Sequence, residues 1–481
     1  MPPIIYFFLS VAALLAGYMV YGRLVERVFR PDENRATPTV TMADGVDYVS
    51  LPAKEVWLNQ FLCISATGPV FGPILGILYG PAALLWIVLG CIFAGGVHDY
   101  LSGMMSIRYR GESIPDVVGH VLGPAFKVFM RLFSLLLLVL VGVVFVQAPA
   151  SLLDSLTRME GDYIIWLVLI FAYYFLVTIM PIEVLIERLN PFFAVVLSIM
   201  ALGVIGSLLT GDYNFYQWAD WHKPHPDGYP LWPLMFITIA CGALSGFHAT
   251  QSPITARCMV NERQGRLVFY GAMIVEGVIA LIWATAGMTL FPTAEALNEV
   301  LNKSGPAKVV SDICFMLLGE MGGMMAVLGV VVLPVTSGDT AFRAARLVMA
   351  DFLRLPQKSI WQRLLIAVPI FAVAIYLSRV NFSLIWQYFG WSNQTLATIV
   401  LWAGAAYLVR LNTCHWIATI PATFMTAVVS TYIYYHKIGF SIPYEQSVIM
   451  GGVTALASLV IFLACRRRLA ERVPLELPPL K

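Results

Sequence analysis

The stretch LLLLVLVGVVFV, residues 135–146, carries no polar side chain and does not alternate. Hydrocarbon admits only segments that satisfy their own backbone hydrogen bonds: helices of about 20 apolar residues, or closed barrels of alternating strands. Runs of this kind recur along the chain, and their lack of alternation selects the helix. Composition agrees, with 59% hydrophobic and 12% charged residues where soluble domains have roughly half and a quarter. The opening residues lack a basic segment before their apolar run and are read as a spanning helix, not a signal peptide.

Apolar segments of spanning length fall near residues 4–22, 56–80, 82–107, 126–148, 163–182, 190–210, 231–256, 267–291, 313–337, 364–378, 384–409, 412–436 and 445–465. Thirteen spans with residue 1 outside place 24 of the 30 Lys and Arg residues at the cytoplasmic face. Only Arg158, Lys223, Lys303, Lys308, Arg379 and Lys437 fall on the other side. This positive-inside bias predicts an outer N-terminus and a cytoplasmic C-terminus in the lipid bilayer. The seven cysteines are scattered without CxxC spacing and read as packing residues, not as disulfides or metal ligands. His222 and His225 have metal-like spacing in an aromatic outer loop but lack a third ligand. No resident metal or cofactor is expected, and nothing suggests a nucleic-acid partner.

Two spans contain residues that a membrane helix does not favour. The second carries SATGPVFGPILG (65–76), and the seventh carries CGALSGFHATQSPITAR (241–257). They lie five spans apart, and an odd interval inverts the second unit relative to the first. This is the pattern of transporters built from inverted repeats with a discontinuous first helix in each. The predicted fold is therefore an all-α polytopic membrane protein of about thirteen helices with a LeuT-like 5+5 core. One helix and a cytoplasmic loop (1–55) precede the first repeat (56–210). An outer loop (211–230) leads to the second repeat (231–409), and two helices with a basic tail (410–481) follow.

Unwound backbone at membrane depth is tolerated where it lines a protected polar cavity. Unwinding is expected near Thr67 to Pro69 and near Gly246 to Ser252, with Ser252-Pro253 restarting a half-helix as N-cap and first position. Such ends attract anions. A carboxylate-bearing substrate is accordingly placed among Thr67, Gly68, Ser245, Gly246, His248, Gln251, Ser252 and Asn393, the last of which, with Gln394, fits either the cavity lining or a bond between helices. Glu276 lies nine residues into its span, about 14 Å along a helix, and an intramembrane carboxylate is a functional candidate. Asp99, beside His98, fits either a proton relay or a helix-end role. Thr336, Ser337 and Asp339 fit either a cation site against the first broken helix or the capping of a helix that ends there. The coupling ion is thus a proton at Glu276 or sodium at the hydroxyl pair.

The chain resembles the carbon starvation protein A (CstA) family through DGVDYV (44–49), GPVFGP (68–73), AGGVHDY (94–100), FITIACGALSGFHA (236–249), YGAMIVE (270–276), TSGDTAFRAAR (336–346) and FGWSNQ (389–394). The resemblance implies inner-membrane uptake of peptides or pyruvate during carbon starvation, and membership of the amino acid, polyamine and organocation transporter superfamily. A secondary active transporter is the leading expectation; a passive channel or a transporter-like nutrient receptor is the alternative. No HExxH, GxSxG or phosphate-loop signature points to an enzyme.

Overall fold

The computed structural model describes residues 3–45, 47–157, 162–180, 190–211, 225–357 and 359–471. Among these residues every regular element is a helix. Ten helices are long and apolar enough to cross a membrane, or eleven if the bent pair Ala53–Ile64 and Gly68–Tyr79 forms one span. Two expected spans stand outside that count for physical reasons. The 231–256 segment divides into Leu231–Thr238 and Gly246–Ala256, each short. Phe382–Arg410 has the length but carries Ser392, Asn393, Gln394 and Thr395 in one run, and most of it is buried against protein.

The peripheral helices show the opposite pattern. Pro3–Phe29 leaves Leu9 and Val20 exposed, and Tyr444–Ala470 leaves Val453 and Ile461 exposed. Apolar side chains covering an outer face suit a lipid solvent, since in water such a continuous patch would be an adhesive liability.

Both interruptions occur, and both lie in the buried centre. The first helix stops at Ile64 and resumes at Gly68 with a bend of 46°. The second stops at Thr238 and resumes at Gly246. This corrects the expected position of the second break: Gly246 to Ser252 is helical, and the unwound stretch is 239–245. Ser252 is consequently no N-cap. Ser245 holds that place, with extended backbone at φ −143° and ψ 124°, while Ser252 sits inside the half-helix and returns its hydroxyl to the His248 carbonyl at 3.0 Å. Pro253 occupies an interior position of that half-helix.

A second correction concerns the segment expected to end near residue 337. The helical run Ala294–Leu353 turns at Gly305 and Gly319, both at positive φ, and then continues unbroken through Thr336, Ser337 and Asp339 to Leu353. Those three residues are therefore interior to a helix, and their polarity is not that of a cap. His222 and most of the outer loop lie outside the described residues; His225 is described and packs its ring on Tyr79 at 4.7 Å.

The half-helix Gly246–Ala256 packs on Gly96–Arg108, on Phe382–Arg410 and on Ala53–Ile64. Ala272–Leu290 covers Gly68–Gly76, and the Ala294–Leu353 run touches both halves of the first broken helix. At one end of this assembly Glu262, wholly buried, receives Arg108 Nε at 3.2 Å, Arg108 Nη2 at 3.1 Å and the Asp32 amide at 2.9 Å. Arg108 also lies over the Phe29 ring at 4.1 Å and donates to the Arg30 carbonyl. At the opposite end a cavity of ≈ 470 Å³ is lined by Tyr79, His225, Asp227, Asn298, Trp386 and Tyr432 among others. Phe71, buried, stacks its edge on Phe382 and tilts against Trp386 at ring distances of 6.2 and 6.0 Å, which sets an aromatic floor between this cavity and the breaks.

Candidate functional site

The two breaks meet. A Cβ built on Gly68 would lie 2.2 Å from Cys241 Cβ, and one on Gly72 would lie 3.1 Å from the Thr238 carbonyl. Glycine at these positions lets the half-helix that follows the first break approach the backbone of the second. Gly242, at φ 90°, makes the sharp turn within the second break that a side chain would strain.

The freed backbone of the second break is met by side chains from three other helices. Gly242 N–H donates to Glu276 Oε1 at 3.1 Å. Phe247 N–H donates to Asn393 Oδ1 at 2.6 Å, and Asn393 also joins Ser245 Oγ. Gln394 Nε2 donates to the Leu244 carbonyl at 2.9 Å, Trp86 Nε1 to Ile239 at 3.3 Å and Cys91 Sγ to Gly242 at 2.9 Å. A buried peptide group without a partner costs free energy comparable to a lost hydrogen bond, so these residues hold the break open.

From the break runs a line of ionisable groups. His98 Nδ1 is 2.7 Å from Asp99 Oδ1, and His248 Nδ1 is 2.9 Å from Asp99 Oδ2. His248 Nε2 approaches Glu276 Oε2 at 3.2 Å, without the alignment of a hydrogen bond. All four residues are wholly buried. Asp99 thus belongs to this line and not to a helix end. Two imidazoles alternating with two carboxylates can hold a proton and pass it by exchange between adjacent groups. Cys241, His248 and Glu276 also bring one donor atom each within 4.8 Å of one another, a set able to close on a metal ion. Sequence inspection did not single out Cys241, because nothing in its spacing marks it.

The first break is differently furnished. Among the described residues Ser65 Oγ, Thr67 Oγ1 and both side-chain heteroatoms of Gln60 have no hydrogen-bond partner, although all three residues are wholly buried. Thr67 precedes the Gly68–Gly76 helix in the N-cap position and makes no side-chain cap. Gln60 was also missed by sequence reasoning; the adjacent amides Asn59 and Gln60 entering an apolar run were the available signal. Gln251 is buried, with Nε2 on Thr250 and Oε1 unpaired. Ser252 lies away from the second break and meets Ser102 at 3.0 Å.

Thr336 and Ser337 both donate to the Leu62 carbonyl, at 3.2 and 3.0 Å. Leu62 lies in the last turn before the first break, where carbonyls lose their helical partners. Asp339 is buried one turn on; its Oδ2 accepts from Tyr173 at 3.4 Å, and its Oδ1 is unpaired. The structure therefore brings His248, Glu276, Asp99, Ser245, Gly246 and Asn393 to one cluster, and Thr336 and Ser337 to the first break.

Two interrupted helices crossing around buried ionisable groups define a membrane protein with a transporter fold. Solved transporters share this fold: MhsT in complex with L-phenylalanine superposes with a TM-score of 0.55 at 13% identity, covering 87% of this chain and 99% of that one. A mutant of the Eremococcus coleocola manganese transporter gives 0.53 at 10% identity, covering 89% and 98%. The family model of carbon starvation protein CstA matches residues 3–159, 149–317 and 302–432, and the chain belongs to that family. An uncharacterized membrane protein of Haemophilus influenzae is 41% identical over 62% of this chain and 95% of its own length. The peptide transporter CstA of Escherichia coli is 23% identical over 86% of this chain and 78% of its own length.

Proposed function

We propose that the protein is a secondary active transporter that imports a small carboxylate-bearing nutrient, a peptide or pyruvate, across the cytoplasmic membrane. The observation that carries this reading is the meeting of two interrupted helices at a buried, charged cluster in a transporter fold. Peptides enter the proposal because several relatives bear the name peptide transporter. In this reading thirteen spans form one leading helix, two inverted five-helix repeats and two trailing helices, with the N-terminus outside.

The substrate sits between the breaks, against the unpaired polar groups of Gln60, Ser65, Thr67 and Gln251, with the second half-helix directing its N-terminus at the carboxylate. Protons drive accumulation through the line His98, Asp99, His248 and Glu276. Sodium is the second reading, favoured by the two hydroxyls converging on the Leu62 carbonyl, where their oxygens and that carbonyl would serve a hard cation.

Purified protein in liposomes, given pyruvate, dipeptides and amino acids under imposed proton or sodium gradients, tests the proposal. Gradient-driven accumulation with counterflow is expected. Glu276→Gln keeps an acceptor for Gly242 N–H but loses the charge facing His248, so it should lose proton-driven accumulation while retaining exchange. Sodium-driven uptake at the parental level in Glu276→Gln would select the second reading. Non-saturable flux would mean a channel, and binding without flux a receptor.

A further inference from the structure

Beyond the line of ionisable groups, a second concentration of buried charge stands at the end of the molecule where Arg108 meets Glu262. Arg343 and Arg346, on the helix that carries Thr336, are each 1% exposed. Arg343 Nη2 donates to the Val177 carbonyl at 2.9 Å, and Arg346 Nη1 donates to Gln357 Oε1 at 2.5 Å. Among the described residues, Arg343 Nε, Arg343 Nη1 and Arg346 Nε have no hydrogen-bond acceptor. Guanidinium stays charged in proteins, and leaving its donors unused in the interior is costly. Three such donors on two adjacent side chains offer bonding capacity suited to an oxyanion.

The carboxylate facing them is Asp47, whose Oδ1 lies 4.0 Å from Arg343 Nη1, beyond hydrogen-bond reach. Arg257 and Arg363 add two guanidinium groups to the neighbourhood; Asp47 faces both Arg343 and Arg346, Asp339 faces Arg343, and Asp351 faces Arg257, with Asp44 in the turn beside them. Asp47 is held by a braced turn. Asp44 Oδ1 accepts the Asp47 and Tyr48 amides, both at 2.9 Å, Tyr48 Oη donates to the Arg110 carbonyl, and the Tyr48 ring lies under Arg257 at 5.1 Å. Leu51 N–H is fastened to the Cys258 carbonyl at 3.2 Å, just past the second half-helix.

We propose that Arg343 and Arg346 form a binding site for a small soluble carboxylate at the cytoplasmic end of the transport pathway, with Asp47 standing at its entrance until that carboxylate arrives. This rests on the reading of the protein as a carboxylate carrier and gives the substrate a second station. Arg343 is seven residues beyond Thr336, two helical turns and about 10 Å along the axis, so it lies on the same helix face, nearer the end. The planar guanidinium fork matches the two oxygens of a carboxylate. A carboxylate within hydrogen-bond distance takes the unused N–H groups, and the turn holding Asp47 loses an anchor. A phospholipid headgroup offers related oxygen chemistry and is the rival occupant.

The test uses the full chain in detergent, with its thermal unfolding midpoint titrated by sodium pyruvate and sodium chloride as the ionic control. Asp47→Asn removes the tethered competitor and should lower the half-saturating pyruvate concentration by about tenfold, which corresponds to ~1.4 kcal/mol. Arg343→Gln and Arg346→Gln should raise it by about as much or more, the value of a charge-assisted hydrogen bond. Should Arg343→Gln fail to fold, Asp47→Asn alone decides. Equal half-saturation in parent and Asp47→Asn overturns the site. So does a midpoint that responds to phosphatidylglycerol against phosphatidylcholine nanodiscs but not to pyruvate. A pyruvate shift that Thr67→Ala removes while Asp47→Asn leaves it unchanged refutes this site and keeps the proposed transport. A shift governed by Asp47 and Arg343 in a protein that moves no carboxylate across liposomes keeps the site and refutes the transport.

Discussion

The two interrupted helices solve one problem in opposite ways. In the second break, Glu276, Asn393, Gln394, Trp86 and Cys91 take up the freed backbone groups. The first break is shorter, and Ser65, Thr67 and nearby Gln60 keep buried polar atoms unpaired; its main external tie is the Leu62 carbonyl held by Thr336 and Ser337. A satisfied polar network rigidifies, whereas an unsatisfied one is either costly or awaits a ligand. The second break is thus the scaffold of the site, and the first is the part with bonding capacity to spare.

Glycine substitutions should expose this contrast most strongly. A methyl on Gly246 would stand 2.2 Å from the Asn393 carbonyl oxygen and 2.6 Å from Ala397 N. Both are backbone atoms of a packed helix and cannot step aside. Gly246→Ala should cost about 1–3 kcal/mol or more, visible as a collapsed yield or a lowered unfolding midpoint in detergent. Gly72→Ala, 3.1 Å from the Thr238 carbonyl, asks for a shift of only a few tenths of an ångström and should remain folded. Equal losses in the two variants would erase the distinction between a clamped and a yielding break.

Next come the polar side chains. Asn393→Ala orphans the Phe247 amide, and each buried group left without a partner costs about 1–3 kcal/mol; thermal unfolding should report it directly. Thr67→Ala and Ser65→Ala break no hydrogen bond present here and orphan no partner, so their midpoints should fall less than that of Asn393→Ala. Their uptake should fall instead. A Thr67→Ala protein that is destabilised yet transports normally would reverse the roles of the two breaks.

Thr336→Val removes one of two hydroxyls from Leu62 and should cost about 0.5–1.5 kcal/mol. If sodium binds there, half-maximal uptake will also require more sodium; an unchanged sodium dependence would leave the hydroxyl a purely structural tie.

The smallest effect belongs to a control remote from both breaks. Asp116, in the short helix Ile114–Leu122, is pushed up by burial, but the hydrogen bonds from Lys127 and Ser113 and the charge of Arg131 outweigh that and hold its carboxyl below the ordinary 3.8. A depressed folded-state value stabilises above the unfolded value and loses that contribution as pH falls through the folded one. The contribution should therefore be constant near neutrality and decline only below about pH 4. Arg131→Gln should weaken the decline, measured as the unfolding midpoint against pH, and should leave transport at neutral pH unchanged.

How far the site could be read from the chain differs between its parts. Thr67 before Gly68-Pro69 marked the first restart, and the helix does begin at Gly68, because Pro early in a helix and a polar residue before it are local requirements. The same logic applied to Ser252-Pro253 pointed seven residues too late. Pro253 has no amide hydrogen to donate, and the half-helix accommodates it internally while Gly246 makes the close approach to Asn393 and Ala397. That approach is a contact between segments almost 150 residues apart and has no local signature. TSGDTAFRAAR likewise read as a possible helix end, yet the helix runs on to Leu353 because its hydroxyls serve Leu62 across the core instead of their own terminus.

The sequence by itself determined the helical membrane class, the presence of two interruptions and the ionisable residues placed at depth. These follow from the chemistry of hydrocarbon, which punishes unpaired backbone and uncompensated charge wherever they occur. Only the tertiary structure decided where the second break falls, that His98, Asp99, His248 and Glu276 form one line, and that Cys241 stands beside it. Those outcomes depend on distances of about 3 Å between side chains from separate helices, and short-range bonding of that kind is set by packing between segments, not by the order of residues within any one of them.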